Sequence, residues 1–397
     1  MLRFGNNRGI TTVFVLIIMA SMVALVFAFI HGATLMAEKS MARGFIHLGS
    51  RSVLSEYNSV LKDRYNIFAT DLDCREMEGR LRYYLESNLS DHGLIPMEVD
   101  NIQVDLSEYS LVCVDQLEKQ IIDAALFPPV YKNHGSELSY NREWSRTALG
   151  NSLPSQGSGT FFFNIDLLDI TSSNFKELIK SGGSKALVNE YIIKYFNYNE
   201  RGEWAPSGYF SNEIEYILYG KSDDQSNLKR YQIDFIAFRT LLNLAHIKSD
   251  PRKMEILLLA AAAITPGPEA PITQLLLAGA WAAAEGYNDW KLIINDHGVP
   301  IVKGSDDWAL SFKQIDKIGS SSNYIEPKGK SNFKYVDYLR LFLIVQKREI
   351  QLLRVMDIMQ INMAGLQSPS FLIKEHYVGF DLLTRINGKT YHAEEVY

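Results

Sequence analysis

The stretch from Gly9 to Ala37 (GITTVFVLIIMASMVALVFAFIHGATLMA) carries no charged residue and is mostly apolar. An α-helix rises about 1.5 Å per residue, so roughly 20 apolar residues cross a hydrocarbon core of about 30 Å. The run exceeds that minimum and predicts a transmembrane helix over residues 10–37. Arg3 and Arg8 stand before it; Glu38, Lys39 and Arg43 follow it. A purely basic tail at residues 1–9 predicts a cytoplasmic N-terminus, with the rest of the chain an extracellular ectodomain of a single-pass protein of the cell membrane. A cleaved signal peptide is the competing reading. Its apolar region is normally about 7–15 residues long, about half of this run, so an uncleaved anchor is expected. His31 reads as an interfacial residue rather than a proton relay.

Charge and cysteine usage narrow the rest. A net charge of −6 leaves no continuous basic face for phosphates, which argues against a nucleic acid partner. A hydrophobic share of 47% suffices for a sizeable core, in one large domain or two smaller ones. The 2 cysteines, Cys74 and Cys113, lack the local pairing of zinc ligands and are candidates for one disulfide outside the membrane. The acidic pairs Asp71/Asp73, Asp223/Asp224 and Asp306/Asp307 read as helix caps or solvated turns before they read as metal ligands. Asp296-His297 has no nucleophile near it. GxSxG, HExxH, Walker and GxGxxG motifs are absent from the sequence. No catalytic, cofactor-binding or metal-binding residue is expected. The 21 tyrosines, many beside leucines in helical segments, read as packing at a protein–protein boundary.

Periodicity predicts a predominantly helical α+β protein: the transmembrane helix extends into a stalk, with small β elements at 97–114 and 371–397 and a large helical ectodomain. Apolar spacing from Glu38 to Leu61 continues the membrane helix without a break, and Cys74–Leu89 reads as a second amphipathic helix. Met97–Leu106 and Tyr109–Val114 read as strands, and Gln116–Ala125 as a helix that stops before Pro128-Pro129. Residues 38–131 thus form a membrane-proximal α+β stalk region. Residues 132–160, rich in Asn, Ser, Gly and Pro, read as a flexible linker, or as a loop within one domain. Residues 161–397 then form a mostly helical ectodomain. Within it, Ile256–Ile264 and Ile272–Ala284 are too short for bilayer crossings and predict two packed core helices, with a re-entrant hairpin as the alternative. Lys330–Met363 reads as one long helix. Asn387-Gly388 predicts a C-terminal hairpin that joins the strands of the first block.

Several segments carry a resemblance. Arg8-Gly9-Ile10-Thr11-Thr12-Val13-Phe14 before the apolar run resembles the N-termini of TadE-like proteins and Tad-type pseudopilins. Tyr57-x3-Leu61-x3-Tyr65-x2-Phe68, Leu117-Glu118-Lys119-Gln120-Ile121-Ile122 and Glu215-Tyr216-Ile217-Leu218-Tyr219-Gly220-Lys221-Ser222 are more specific. Asn243-Leu244-Ala245-His246-Ile247-x-Ser249-Asp250-Pro251 and Tyr338-Leu339-Arg340-Leu341-Phe342-Leu343 continue the match. Together they look like a Gram-positive family of membrane-anchored proteins of unknown function encoded near Tad (Flp) pilus genes. The resemblance implies a locus association and no catalytic residue. It also implies partners: the membrane, Tad-type pilins, TadE-like proteins or platform proteins. In processed prepilins a Glu follows the cleavage glycine by five residues, whereas Phe14 stands there after Gly9. An intact N-terminus and an accessory role are therefore expected. Phe29, Gly32, Ala33 and Phe45 are the expected helix–helix contacts. Two functions stand open: a non-enzymatic assembly component of a Tad-like pilus or secretion apparatus, and an anchored extracytoplasmic enzyme or binding receptor.

Overall fold

The computed structural model describes residues 8–90, 97–127, 139–150, 153–155, 183–199, 207–315 and 324–397. Parts of the expected 132–160 linker, and of the mostly helical ectodomain expected over 161–397, lie outside them. The chain divides into two compact units. The first comprises residues 1–58, 68–110 and 375–397, and the second residues 59–67 and 111–374.

The first unit is built on helix α1, Arg8–Leu54. Its later turns present Ala42, Phe45, Ile46 and Val53 at helical spacing. This stripe packs with Met77, Leu81 and Leu85 of α3 (Cys74–Ser90) and with one face of a small sheet. Gly49 lets the helices close in, since a Cβ there would sit 3.3 Å from Leu85 Cδ2. The sheet has 3 antiparallel strands in the order β1-β2-β3: Val99–Asp105, Gly379–Ile386 and Lys389–Val396. Buried Phe380, Leu382, Thr384 and Ile386 alternate with more exposed Asp381, Leu383 and Arg385, the period-2 signature of a half-covered sheet. The expected hairpin forms at Asn387-Gly388, where φ is 49° and 71°, as its turn type requires. Asn387 Oδ1 accepts from Glu98 N at 2.8 Å and Asp100 Oδ2 from Gly388 N at 2.7 Å, which ties the turn to β1.

The second unit is helical. It contains α2 (Ser59–Tyr65), α4 (Val114–Leu126), α5 (Arg142–Gly150), α6 (Gly183–Tyr195) and α7 (Glu213–Tyr219). The series continues with α8 (Asp224–Ser249), α9 (Pro251–Ile264), α10 (Ala270–Ile293), α11 (Tyr335–Val345) and α12 (Arg348–Leu366). Its aromatic core joins Tyr231, Phe235, Trp290, Tyr335 and Tyr338. The Tyr231–Tyr335 centroids are 5.3 Å apart and the Phe235–Tyr338 centroids 4.8 Å. These tyrosines are interior, which corrects their reading as a boundary surface.

Four further expectations change. The helix expected to run to Leu61 stops at Leu54, because Asn58 N turns to bond Ala69 O at 2.8 Å. Tyr109–Val114 is not a strand. Tyr109 N closes a turn onto Leu106 O, Ser110 makes a single bridge to Tyr377, and α4 begins at Val114. The flexible linker of 132–160 holds α5, which packs on α12 with Ser145 and Ala148 buried, and Asn141 N donates to Gly365 O at 2.8 Å. Lys330–Met363 is two helices. Gln346 is extended, with its side chain donating to Ile217 O at 2.7 Å, and that pull splits α11 from α12.

Candidate functional site

Three of the motifs that carry the sequence resemblance, at Glu215–Ser222, Asn243–Pro251 and Tyr338–Leu343, supply residues to buried polar clusters of the second unit. All of α7 is buried, and its polar groups reach different neighbours. Glu213 Oε2 accepts from Asn197 N at 2.7 Å, and its Oε1 accepts from Asn362 Nδ2 and lies 3.8 Å from Arg64. Glu215 Oε1 accepts from Asn199 N at 3.2 Å and from the Tyr335 hydroxyl. Tyr216 donates to Asp357 Oδ2 at 3.0 Å, and Asp357 also accepts from Ser155 N at 2.9 Å. At the far end Arg354 Nη1 donates to the carbonyls of Ile217 and Leu218, capping the helix. Gly220 is required there. Its φ is 64°, and a Cβ would fall 2.8 Å from Arg354 Nε.

Burial pushes the Glu215 carboxyl up to about 7, and burial also raises Asp357. In a cleft such groups would suggest acid–base work. Here each is enclosed by the tyrosine that donates to it. Glu215 Oε2 has no hydrogen-bond partner among the described residues, so no donor there stabilises a charge on it. The folded pKa of Glu215 lies above the unfolded value of 4.5. Stability therefore falls as pH rises from about 4.5 to about 7, by at most about 3 kcal/mol. Glu215→Gln keeps both bonds to Oε1 and should flatten this slope in urea titrations, becoming the more stable protein above about pH 7. Parallel profiles for the two proteins would show that the carboxyl is ionised in the fold.

A second cluster was not foreseen from sequence. Arg239 and Asn243, one turn apart on α8, face Glu285 and Asp289, one turn apart on α10. Arg239 Nε donates to Asp289 Oδ2 at 2.9 Å, and its Nη1 donates to the carbonyls of Pro300 and Ile301, each at 2.9 Å. Lys303 Nζ pairs with Asp289 Oδ1 at 2.6 Å and with Glu285 Oε1. Glu285 also accepts from Ala309 N and Leu310 N, each at 2.9 Å. Gly286 allows the approach, because a Cβ there would meet Ile236 O at 3.2 Å. Two cations and two carboxylates balance, and all four side chains are buried. The signal available in the sequence was charge at one-turn spacing inside otherwise apolar helices. The cluster is a buried, charge-balanced ion-pair network.

The flagged acidic pairs act as caps and turns. Asp223 caps α8 through Ser226 N at 2.8 Å, Asp73 accepts from Glu76 N at 2.8 Å, and Asp307 accepts from Gly304 N at 2.9 Å. Asp296 pairs with Lys334, and the His297 ring meets the Tyr324 hydroxyl. Among the described residues no group of three His, Cys, Asp or Glu side chains is placed to hold a metal ion. The disulfide expected between Cys74 and Cys113 is absent. Both are exposed free thiols, one opening α3 of the first unit and the other preceding α4 of the second.

The unsatisfied surfaces are apolar. From Thr12 onward α1 is a candidate single membrane span with a mean hydropathy of 3.0 and no buried residue in its apolar stretch. Phe29 is 71% exposed, and nothing lies within 4 Å of where a Gly32 Cβ would be. Phe45 differs from the expectation: it is buried in the first unit's own core and is not available to a partner helix. In the second unit α9 and α10 do pack, through buried Leu257, Ala261, Ala278 and Ala282. Their opposite sides stay bare, with Leu259 68% and Leu276 70% exposed, so the pair is only half interior. A cavity of about 930 Å³ also opens in the first unit, between α1 and β3.

Fold and surfaces together define a mainly helical α+β protein with, among the described residues, one long apolar N-terminal helix that is a candidate membrane span. The chain belongs to the family of unknown function DUF5702, whose model matches residues 113–388. That segment takes in nearly all of the second unit and strand β2, and lies entirely after α1. No curated protein and no solved structure matches the chain significantly.

Proposed function

We propose that this protein is a non-enzymatic, membrane-anchored accessory component of a Tad-like (Flp) pilus or related secretion apparatus, and that it holds other envelope proteins through α1. The division of α1 carries this reading. Its later turns are locked into a folded core, while its apolar first part is bare along its length. Side-by-side packing of membrane helices depends on small residues that let backbones approach. Gly32 and Ala33 supply them beside Phe29. The bare outer faces of α9 and α10 offer a second apolar surface of the kind that partners cover. The resemblance of the Arg8–Phe14 segment to TadE-like proteins and Tad-type pseudopilins supports the pathway. The basic tail supports a cytoplasmic N-terminus, with the folded units on the outside.

Photo-crosslinkers placed at Phe29 and Gly32 should capture a Tad-type pilin, a TadE-like protein or a platform protein. A crosslinker at buried Phe45 should give only intrachain products. The assembly reading fails if neither exposed position reaches an envelope protein. Should the purified chain also turn over a substrate, with loss on replacing one carboxylate or histidine, the anchored enzyme or receptor takes its place.

A further inference from the structure

We propose that the cavity between α1 and β3 is a binding site for the headgroup of an anionic phospholipid in the leaflet next to the folded units. The proposal rests on α1 spanning the membrane.

The cavity walls divide by chemistry. Leu35 and Met36, the last apolar turn of α1, line one end, and Met36 is 78% exposed. Lys39, Arg43 and His47 continue down the same helix at one-turn spacing, and Lys389, Tyr391 and His392 face them from the hairpin. Much of this charge is already matched. Lys389 pairs with Glu38 at 2.7 Å, His47 with Glu395 at 2.8 Å, and His392 lies 3.7 Å from Asp381. Lys39 and Arg43 make no ion pair or hydrogen bond among the described residues. Two uncompensated cations therefore line a concave site in a chain whose net charge is −6.

Position selects the anion. With Met36 at the edge of the hydrocarbon, Lys39 lies about 4.5 Å and Arg43 about 10.5 Å further along the helix. A headgroup layer is about 5–8 Å thick. Lys39 is thus at phosphate depth, and Arg43 reaches back to it along its flexible stem. An acyl chain beside Leu35 and Met36 and a phosphodiester between Lys39 and Arg43 would satisfy both ends of the cavity at once. A free phosphate would leave the apolar end uncovered.

The test uses the full chain in detergent micelles, with lipid retention read by native mass spectrometry. Equal amounts of phosphatidylglycerol and phosphatidylcholine are offered. Wild type should retain phosphatidylglycerol in preference. A cation at a membrane surface contributes about 1 kcal/mol, or about fivefold, so Lys39→Gln with Arg43→Gln should lower retention about 30-fold. Arg51→Gln, on α1 outside the cavity, should leave it unchanged, and Arg43→Lys should preserve most of it. Equal retention of the two lipids overturns the proposal. So does an equal loss in Arg51→Gln, which would indicate diffuse charge attraction, or displacement of the lipid by millimolar glycerol phosphate, which would indicate a site for soluble phosphate. Alkaline carbonate extraction of the same proteins from native membranes separates the two premises. Release of wild type would refute the span itself, whereas retention without lipid preference refutes only the cavity assignment.

Discussion

Asp289→Ala should destabilise the second unit by about 3–5 kcal/mol, the usual cost of removing one partner from a buried ion pair. The change would leave Arg239 and Lys303 facing each other without the carboxylate that both contact. It would also remove an acceptor from Asn243, 3.3 Å away. Domains are typically stable by only about 5–15 kcal/mol, so denaturation of the full chain should shift far toward low urea. Replacing the pair together, with Arg239→Met and Asp289→Leu, should recover part of the loss, since Glu285 and Lys303 remain matched. Recovery should stay incomplete because the Pro300 and Ile301 carbonyls lose their donor. The wild-type profile carries a matching signature in acid. Burial pushes the Asp289 carboxyl up, but Arg239 and Lys303 outweigh burial and hold it below its ordinary value of 3.8. Its contribution is therefore present above about pH 4 and is lost as pH falls through the lower folded value. A loss under about 1 kcal/mol in Asp289→Ala would mean that water reaches the cluster and that the network is not closed.

Met22→Arg combined with Val26→Arg should nearly abolish stable membrane insertion. A guanidinium near the middle of a span costs about 2.5–3.5 kcal/mol, and two on one helical face cost about 5–7 kcal/mol. Neither residue has packing of its own to lose, because both are exposed along the bare part of α1. Carbonate extraction should release the double variant while wild type stays in the pellet. The first unit should remain folded, since its apolar core draws on α1 only from Met41 onward. If the double variant inserts as well as wild type, the span is not centred where hydropathy places it.

How much of this molecule could be read from its sequence differs by element. Segments with one dominant local signal were legible. The apolar run, the amphipathic stripe of α3, the alternation of β1 and the Asn387-Gly388 turn each formed as expected, because periodicity and turn chemistry act over a few residues. Boundaries failed where a distant group competes for the backbone. Asn58 leaves the helix for Ala69, and Gln346 breaks its helix to reach Ile217. Composition misled at 142–150, within the expected linker, where Ser145 and Ala148 are small because α5 lies close against α12 at Gly365.

The sequence alone determined that this chain has one apolar run long enough to cross a bilayer and none of the GxSxG, HExxH, Walker or GxGxxG motifs. Those properties are sums over neighbouring residues, and no tertiary contact alters them. Only the tertiary structure decided that Glu213, Glu215, Asp289 and Arg239 are internal, that Phe45 is spent on its own core, and that Lys39 and Arg43 are left uncompensated beside a cavity. Each of these depends on which side chains meet across long stretches of chain. Lys389, for instance, neutralises Glu38 from the opposite end of the sequence at 2.7 Å. A charge is structural or available according to whether such a partner arrives, and that is settled by the fold.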